Sequence, residues 1–143
     1  MKRTSSRTRS KPRSLGSARA KRLPGPVVAA IDASRIVGIR AGARSDHRFI
    51  GIWAVVVDGR AYARSWTMKP DGWNRALLDD SRGAIQVGDR VISIRAVRTR
   101  SERIRDAVER EYARKYPTPG SAKYVRGFRS KRRRDTTTEF LPR

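Results

Sequence analysis

The sequence FIGIWAVVVDGRAYARSW, residues 49–66, predicts two antiparallel strands joined by a tight turn at residues 58–59. An Asp-Gly pair between alternating apolar residues is the strongest short-range signal for a hairpin, because both central residues of the favoured turn adopt positive φ. This loop places Val55 opposite Tyr62 in the strand pair. The hairpin is therefore the best-specified element of the chain.

The two faces of this hairpin differ, because side chains alternate across a strand. One face suits a barrel interior, since its residues are small or aliphatic: Ile50, Ile52, Ala54, Val56, Ala61, Ala63 and Ser65. The other face is aromatic and cationic: Phe49, Trp53, Val55, Tyr62, Arg64 and Trp66. The register sets Trp53 opposite Arg64, which predicts a cation–π contact. Two interpretations of this second face stay open, a ligand or partner surface and a surface covered by a helix with arginines reaching outward.

Composition limits the class of partner. The 143 residues include 35 Lys or Arg and 13 Asp or Glu, for a net charge of +22, which favours polyanions such as nucleic acid, anionic lipid or phosphorylated ligands. There is no cysteine, which excludes disulfides, thiolate catalysis and cysteine-based zinc sites. No apolar run is long enough to span a membrane and no signal peptide is visible, so a cytoplasmic location is expected.

The first 26 residues contain nine Lys or Arg and no acid. They resemble an organelle transit peptide in composition, but their lysines and the lack of an amphipathic stripe favour a disordered basic tail. One domain is expected over residues 27–143.

Periodicity and turn signals predict the other elements of this domain. Those expected first are a helix over 27–34, a strand over 36–40, a polar connection over 41–48, and a helix over 73–80 with Asp71 as its N-cap. Those that follow are a hairpin around Gly88 and Asp89, a helix from a Thr99–Glu102 capping box to Tyr116, helical turns within 121–128, a basic loop over 129–134 and a closing strand over 135–141. This order predicts an α+β fold, a small antiparallel split β-barrel with flanking helices.

Particular motifs resemble those of a bacterial family of unknown function, the DUF2255-type family. Its pattern runs SDHRFxGIWxVVVDGRxxxRSW, KPxGWYR, KYxTPG and RRxTTTxLxPR. These motifs stand here at residues 45–66, 69–75, 115–120 and 132–143. The layout is more distantly similar to the split-barrel superfamily that binds FMN and deazaflavin cofactors. Asn74 departs from the tyrosine that both families tend to have.

The resemblance implies a cofactor site. A loop between the first two strands, here with Arg44, Ser45, His47 and Arg48, would hold cofactor phosphate. The hairpin and the following helix would place three more residues near the ring system: Arg64, Trp66 and Trp73. The alternatives are a solvated loop and ordinary core packing of the aromatic residues.

A second basic segment gives an alternative function. Six cations are interleaved with Tyr124 and Phe128, a pattern that can neutralise phosphates while rings stack on bases. The six are Arg126, Arg129, Lys131, Arg132, Arg133 and Arg134. A solubilising surface is the simpler explanation of the same residues. No metal site is expected, because His47 is the only histidine and a zinc site needs three or four ligands.

The resemblance implies a protein that binds a flavin- or deazaflavin-type phosphorylated cofactor, with oxidoreductase activity left open. A homodimer is expected, because barrels of the similar superfamily build their sites across a dimer interface and because the aromatic hairpin face needs cover. The alternative is a non-enzymatic nucleic-acid-binding protein that uses its basic tail and C-terminal cluster. A third hypothesis is an interaction module without a cofactor.

Overall fold

A nearly closed barrel of seven antiparallel strands forms the centre of the protein. The computed structural model describes residues 21–42 and 47–143, so the first twenty residues of the predicted tail lie outside the described part. The strands are β1 (Val37–Ala41), β2 (Ile50–Ile52), β3 (Ala54–Val57), β4 (Arg60–Ala63), β5 (Arg82–Val87), β6 (Arg90–Arg98) and β7 (Thr138–Pro142). The helices are α1 (Gly25–Ala33), α2 (Trp73–Asp79), α3 (Glu102–Lys115), α4 (Ala122–Gly127) and α5 (Lys131–Arg134), with a 3₁₀ turn at Pro119–Ser121. The predicted α+β antiparallel barrel is confirmed.

The central hairpin has the predicted turn and register. Asp58 and Gly59 both have positive φ, 53° and 73°, as a type I′ turn requires. Val55 pairs with Tyr62, and the pairing continues to the turn. The residues of the turn were therefore sufficient to predict the register of β3 against β4.

The first strand of the predicted hairpin is divided at Trp53. The sheet order is β2-β1-β5-β6-β7-β4-β3, so β2 and β3 are its two edge strands although only Trp53 separates them in the chain. Ile52 pairs with Val37 of β1, and the β3–β4 ladder ends at Ala54 and Ala63. The chain therefore crosses from one edge of the sheet to the other at Trp53, and a seam is left in the barrel there.

Two apolar clusters flank the sheet. The predicted inner face is largely confirmed, because Ile52, Ala54, Ala61 and Ala63 are buried with residues of α1 and α2, whereas Ile50 is exposed. The opposite face carries Val55 and Tyr62 under the apolar side of α3, whose buried residues are Ile104, Val108 and Tyr112. A helix of the same chain thus covers the aromatic face, so the need to cover that face no longer argues for a homodimer.

Local capping differs from the prediction at two helices. The N-cap of α2 is Gly72 rather than Asp71, and no side chain caps this helix. The N-cap of α3 is Ser101 rather than Thr99, and the Ser101 hydroxyl accepts a hydrogen bond from the Ile104 amide at 3.2 Å. The hydroxyl of Thr99 instead accepts from the Ser101 amide, so both hydroxyls stabilise the start of α3.

The C-terminal segment also departs from its prediction. Residues 131–134 of the predicted basic loop form a helical turn, and the closing strand begins at Thr138 rather than at 135. The Thr136 and Thr137 hydroxyls donate to the Arg133 and Arg134 carbonyls, both at 2.6 Å. These two threonines therefore end α5 instead of extending β7.

No helix within residues 21–42 and 47–143 is long and apolar enough to cross a membrane.

The Tyr112 hydroxyl connects α3 to both strands of the hairpin. It accepts from the Arg64 amide at 2.9 Å and donates to the Trp53 carbonyl at 2.7 Å. Tyr112→Phe would leave both buried backbone groups without this partner, and we expect a loss of about 1–3 kcal/mol in the free energy of unfolding. Urea denaturation of the two proteins measures it, with Tyr124→Phe on a half-buried ring as the control. A change in Tyr112→Phe no larger than in the control would contradict this role.

Candidate functional site

A cavity of about 340 Å³ opens at the barrel seam. Its floor is β2 and Trp53, and its other walls come from the end of β4, the segment that follows it, α2 and the end of α4. The lining residues are Ile50, Gly51, Ile52, Trp53, Arg64, Trp66, Thr67, Trp73, Tyr124 and Phe128. The chain contains three tryptophans, and all three line this cavity.

Arg64 forms the deepest polar contact network at this site. Its side chain has no exposed surface, and its guanidinium donates to four oxygens. Nε donates to Thr137 Oγ1 at 2.8 Å, and one terminal nitrogen donates to the Phe128 carbonyl at 2.8 Å and to Glu109 at 3.2 Å. The other terminal nitrogen donates to the Arg105 carbonyl at 2.9 Å.

These contacts account for the burial of a charge. Burial lowers the pKa of Arg64, and the hydrogen bond and the charge of Glu109 act in the opposite direction. The network joins the end of β4 to α3, to the end of α4 and to the approach of β7. The cation over Trp53 is Arg35, at 5.5 Å from the ring centroid, so the predicted Trp53–Arg64 contact is wrong. The role of Arg64 as a cofactor ligand stays a prediction. Four of its hydrogen bonds are already made to partners within the protein.

Trp66 is the most accessible aromatic residue of the cavity, with 40% of its surface exposed. Its ring meets Tyr124 and Phe128 edge-on, with centroids 4.9 and 5.7 Å apart. The Arg133 guanidinium lies 3.9 Å from the Trp66 ring centroid, and its Nε donates to the Trp66 carbonyl at 2.9 Å. An exposed indole beside a guanidinium can contact a planar, electron-rich or anionic ligand.

The other two tryptophans are more firmly packed. The Trp53 ring stacks on Tyr116 with centroids 4.2 Å apart and an interplanar angle of 6°. Trp73 is 6% exposed and packs near Phe140 in the barrel core, so it anchors α2 as well as lining the cavity. Both residues form rigid walls, and Trp66 forms the accessible edge.

The predicted phosphate loop lies apart from this cavity or outside the described residues. Arg44 and Ser45 are outside the described part of the chain. His47 and Arg48 are exposed, and neither belongs to the residues that line the cavity. Phosphate binding by this loop stays a prediction.

The basic C-terminal cluster is partly used in internal contacts. Arg134 contacts three carboxylates of α3, at 2.6 Å for Glu102, 2.8 Å for Asp106 and 2.7 Å for Glu109, and these hydrogen bonds raise its pKa. Lys131 pairs with Asp135 at 3.0 Å. Arg133 contacts Trp66, as described above. The remaining three cations of the cluster are exposed: Arg126, Arg129 and Arg132. Nucleic-acid binding by this cluster stays a prediction.

The sequence did not indicate that α4 closes the cavity. Tyr124 and Phe128 stood out only as rings between cations, and nothing local shows that they face Trp53 and Trp66. Their i, i+4 spacing on a short helix was the one available signal, since such residues share a helix face. The edge residues Ile50 and Gly51 were missed because β2 was expected to continue into β3.

A family model described as "Uncharacterized protein conserved in bacteria (DUF2255)" matches residues 27–140. The chain belongs to the DUF2255 family. The family predicted from the sequence motifs is thereby confirmed, and the match covers the described helices and strands except the first residues of α1 and the last residues of β7. No curated protein matches the sequence.

Two solved structures are similar to this DUF2255 protein in fold. The conserved hypothetical protein Rv2991 from Mycobacterium tuberculosis is 13% identical, with 85% of this chain and 81% of that chain covered and a TM-score of 0.50. A structure titled "F420-H2 Dependent Reductase (FDR-A)" is 18% identical, with 75% of this chain and 93% of that chain covered and a TM-score of 0.52. At these identities the similarity shows a shared split-barrel-like fold.

Gly127 permits the position of Trp66. A Cβ built on Gly127 would lie 2.6 Å from Trp66 Cη2 and would also meet Cζ3, so Gly127→Ala must displace the indole. We expect Gly127→Ala to destabilise the protein by about 1–3 kcal/mol through overpacking and to alter the tryptophan emission spectrum.

Gly120→Ala is the matched control, because nothing lies within 4 Å of a Cβ there. In a Trp66→Ala background, Gly127→Ala should lose its destabilising effect, since the clashing ring is gone. The same destabilisation in both backgrounds would show that the contact with Trp66 is not its cause.

Proposed function

We propose that the aromatic cavity at the seam binds the ring system of a flavin- or deazaflavin-type cofactor. The observation that carries this proposal is the convergence of all three tryptophans with Tyr124 and Phe128 on one cavity of about 340 Å³. Ligand cavities are typically about 300–1,000 Å³ and mostly apolar, with a few polar groups that orient the ligand. This cavity has those properties.

The residues present fit such a group. The walls are aromatic and aliphatic, and they favour a planar ring that can stack or contact ring edges. Thr67 offers a hydroxyl, and Arg133 places a cation beside the accessible indole of Trp66. The net charge of +22 favours an anionic, phosphorylated ligand over a neutral one.

A bound cofactor of this type supplies hydride-transfer chemistry, so the protein would act as an oxidoreductase. The chain itself contributes binding and orientation. Trp53 and Trp73 are held by internal packing and would fix the plane of the ring, while Trp66 and Tyr124 would limit the access of water. The fold shared with the reductase FDR-A supports this assignment over a purely structural role for the cavity.

Intrinsic tryptophan fluorescence gives a direct test. Because every tryptophan lines the cavity, a bound flavin or deazaflavin should quench most of the emission excited at the tryptophan band. Titration with FMN and with a deazaflavin cofactor should give saturable quenching for at least one of them, and the purified protein should be checked for visible absorbance of a retained chromophore.

Trp66→Leu removes the accessible wall and should weaken binding by about tenfold or more, since a stacked ring contributes roughly 1–3 kcal/mol. Val91→Thr, at an exposed site on β6, is the control and should bind as the unmodified protein does. If neither cofactor quenches the emission and no chromophore is retained, the proposed function is wrong.

A further inference from the structure

A second cavity, of about 350 Å³, adjoins the aromatic one. The same chain segment borders both, because Trp66 and Thr67 line the first and Met68, Lys69 and Pro70 line the second. Trp73 and Asn74, which are consecutive on α2, are likewise divided between the two. The remaining residues of this basic cavity are Arg75, Leu78, Arg98, Arg132, Asp135 and Thr136.

Positive charge dominates this basic cavity. Its lining includes four cations, Lys69, Arg75, Arg98 and Arg132, and one carboxylate, that of Asp135. That carboxylate already contacts Lys131 at 3.0 Å and Arg105 at 3.3 Å. The four cations therefore line one space whose single acidic residue is already paired with two cations from outside the lining.

Arg98 is the most enclosed of these cations. It lies at the end of β6, is partly buried, and donates a hydrogen bond to Asn74 Oδ1. Burial lowers the pKa of Arg98, and the charges of Arg105 and Arg75 lower it further, against a partial offset from Asp135. An anion beside Arg98 would relieve this unfavourable environment.

We infer that the basic cavity binds a phosphate or diphosphate group of a small ligand. Guanidinium groups grip phosphate oxygens in a bidentate manner, and Arg75, Arg98 and Arg132 supply three of them from three different elements or segments. Lys69 adds a point charge at the rim.

This inference also deepens the proposed function, on which its second part rests. A ligand whose ring occupies the aromatic cavity would reach the basic cavity along residues 66–70 with its phosphate end. The phosphate would then contact Arg98 and Arg132. The family resemblance alone indicates only the loop before β2 as the phosphate site.

Pyrophosphate is the probe for the site itself. Calorimetric titration of the full chain in about 0.15 M salt, where long-range surface attraction is screened, should show saturable binding. Arg98→Gln and Arg132→Gln should each weaken it about tenfold or more, as expected for loss of a charge-assisted contact. Arg95→Gln, an exposed residue of the same strand that does not line the cavity, should bind as the unmodified protein does.

Arg132 is exposed, so Arg132→Gln keeps the test valid even if Arg98→Gln disturbs the contact with Asn74. Unsaturable binding, or an equal loss in Arg95→Gln, would overturn the inference. Trp66→Leu should bind pyrophosphate normally, so the basic cavity is tested apart from the ring site.

A competition experiment tests the link between the two cavities. Whichever of FMN and the deazaflavin cofactor quenches the tryptophan emission should displace pyrophosphate, whereas its analogue without the phosphate, riboflavin in the case of FMN, should not. Displacement by the phosphorylated form alone identifies the cofactor phosphate as the occupant. Quenching by a cofactor that does not displace pyrophosphate would overturn the shared-ligand part and leave the anion site as a site for free phosphate or diphosphate.

Discussion

The buried guanidinium of Arg64 is the interaction on which the site depends. Burying a charge costs several kcal/mol unless its hydrogen bonds are satisfied. Here four oxygens, from α3, from the end of α4 and from the segment before β7, accept from its donors. Because these acceptors lie on separate parts of the chain, the cost of burying the charge is offset only when all of them are in place. One side chain thus couples the hairpin to the C-terminal third of the domain.

This coupling places α4 over the barrel seam. The Phe128 carbonyl accepts from Arg64, and the Phe128 ring stacks on Tyr112 at 4.6 Å, so the end of α4 is held on two sides. Tyr124, one turn earlier, then reaches Trp53 and Trp66. The following turn carries Arg133 to Trp66 and Arg132 to the basic cavity. The aromatic and basic cavities are therefore two consequences of one arrangement of the C-terminal segment.

The sequence predicted what local chemistry determines. The Asp58–Gly59 turn has few alternatives, so it fixed the register of β3 and β4 and the inner face of the barrel. The sequence did not show that the first strand of the hairpin is divided at Trp53, because this break arises where β2 pairs with β1 instead of continuing into β3. Alternation placed Arg64 on the correct face, but its partners lie tens of residues away and no local pattern identifies them. Trp66 and Trp73, which were expected near a cofactor ring, both line the cavity beside the hairpin, whereas the contribution of Tyr124 and Phe128 to that cavity was not foreseen. Cofactor binding by these residues stays a prediction.

The most direct test is the free energy of unfolding of Arg64→Lys. Denaturation is monitored by tryptophan emission and by far-ultraviolet circular dichroism. Lysine keeps the charge but has three donors at one point instead of a planar fork, so it cannot reach all four acceptors. We predict a loss of about 2–4 kcal/mol together with an altered emission spectrum of the folded protein, because every tryptophan borders the cavity that Arg64 organises. A variant with unchanged stability and unchanged emission would contradict this prediction.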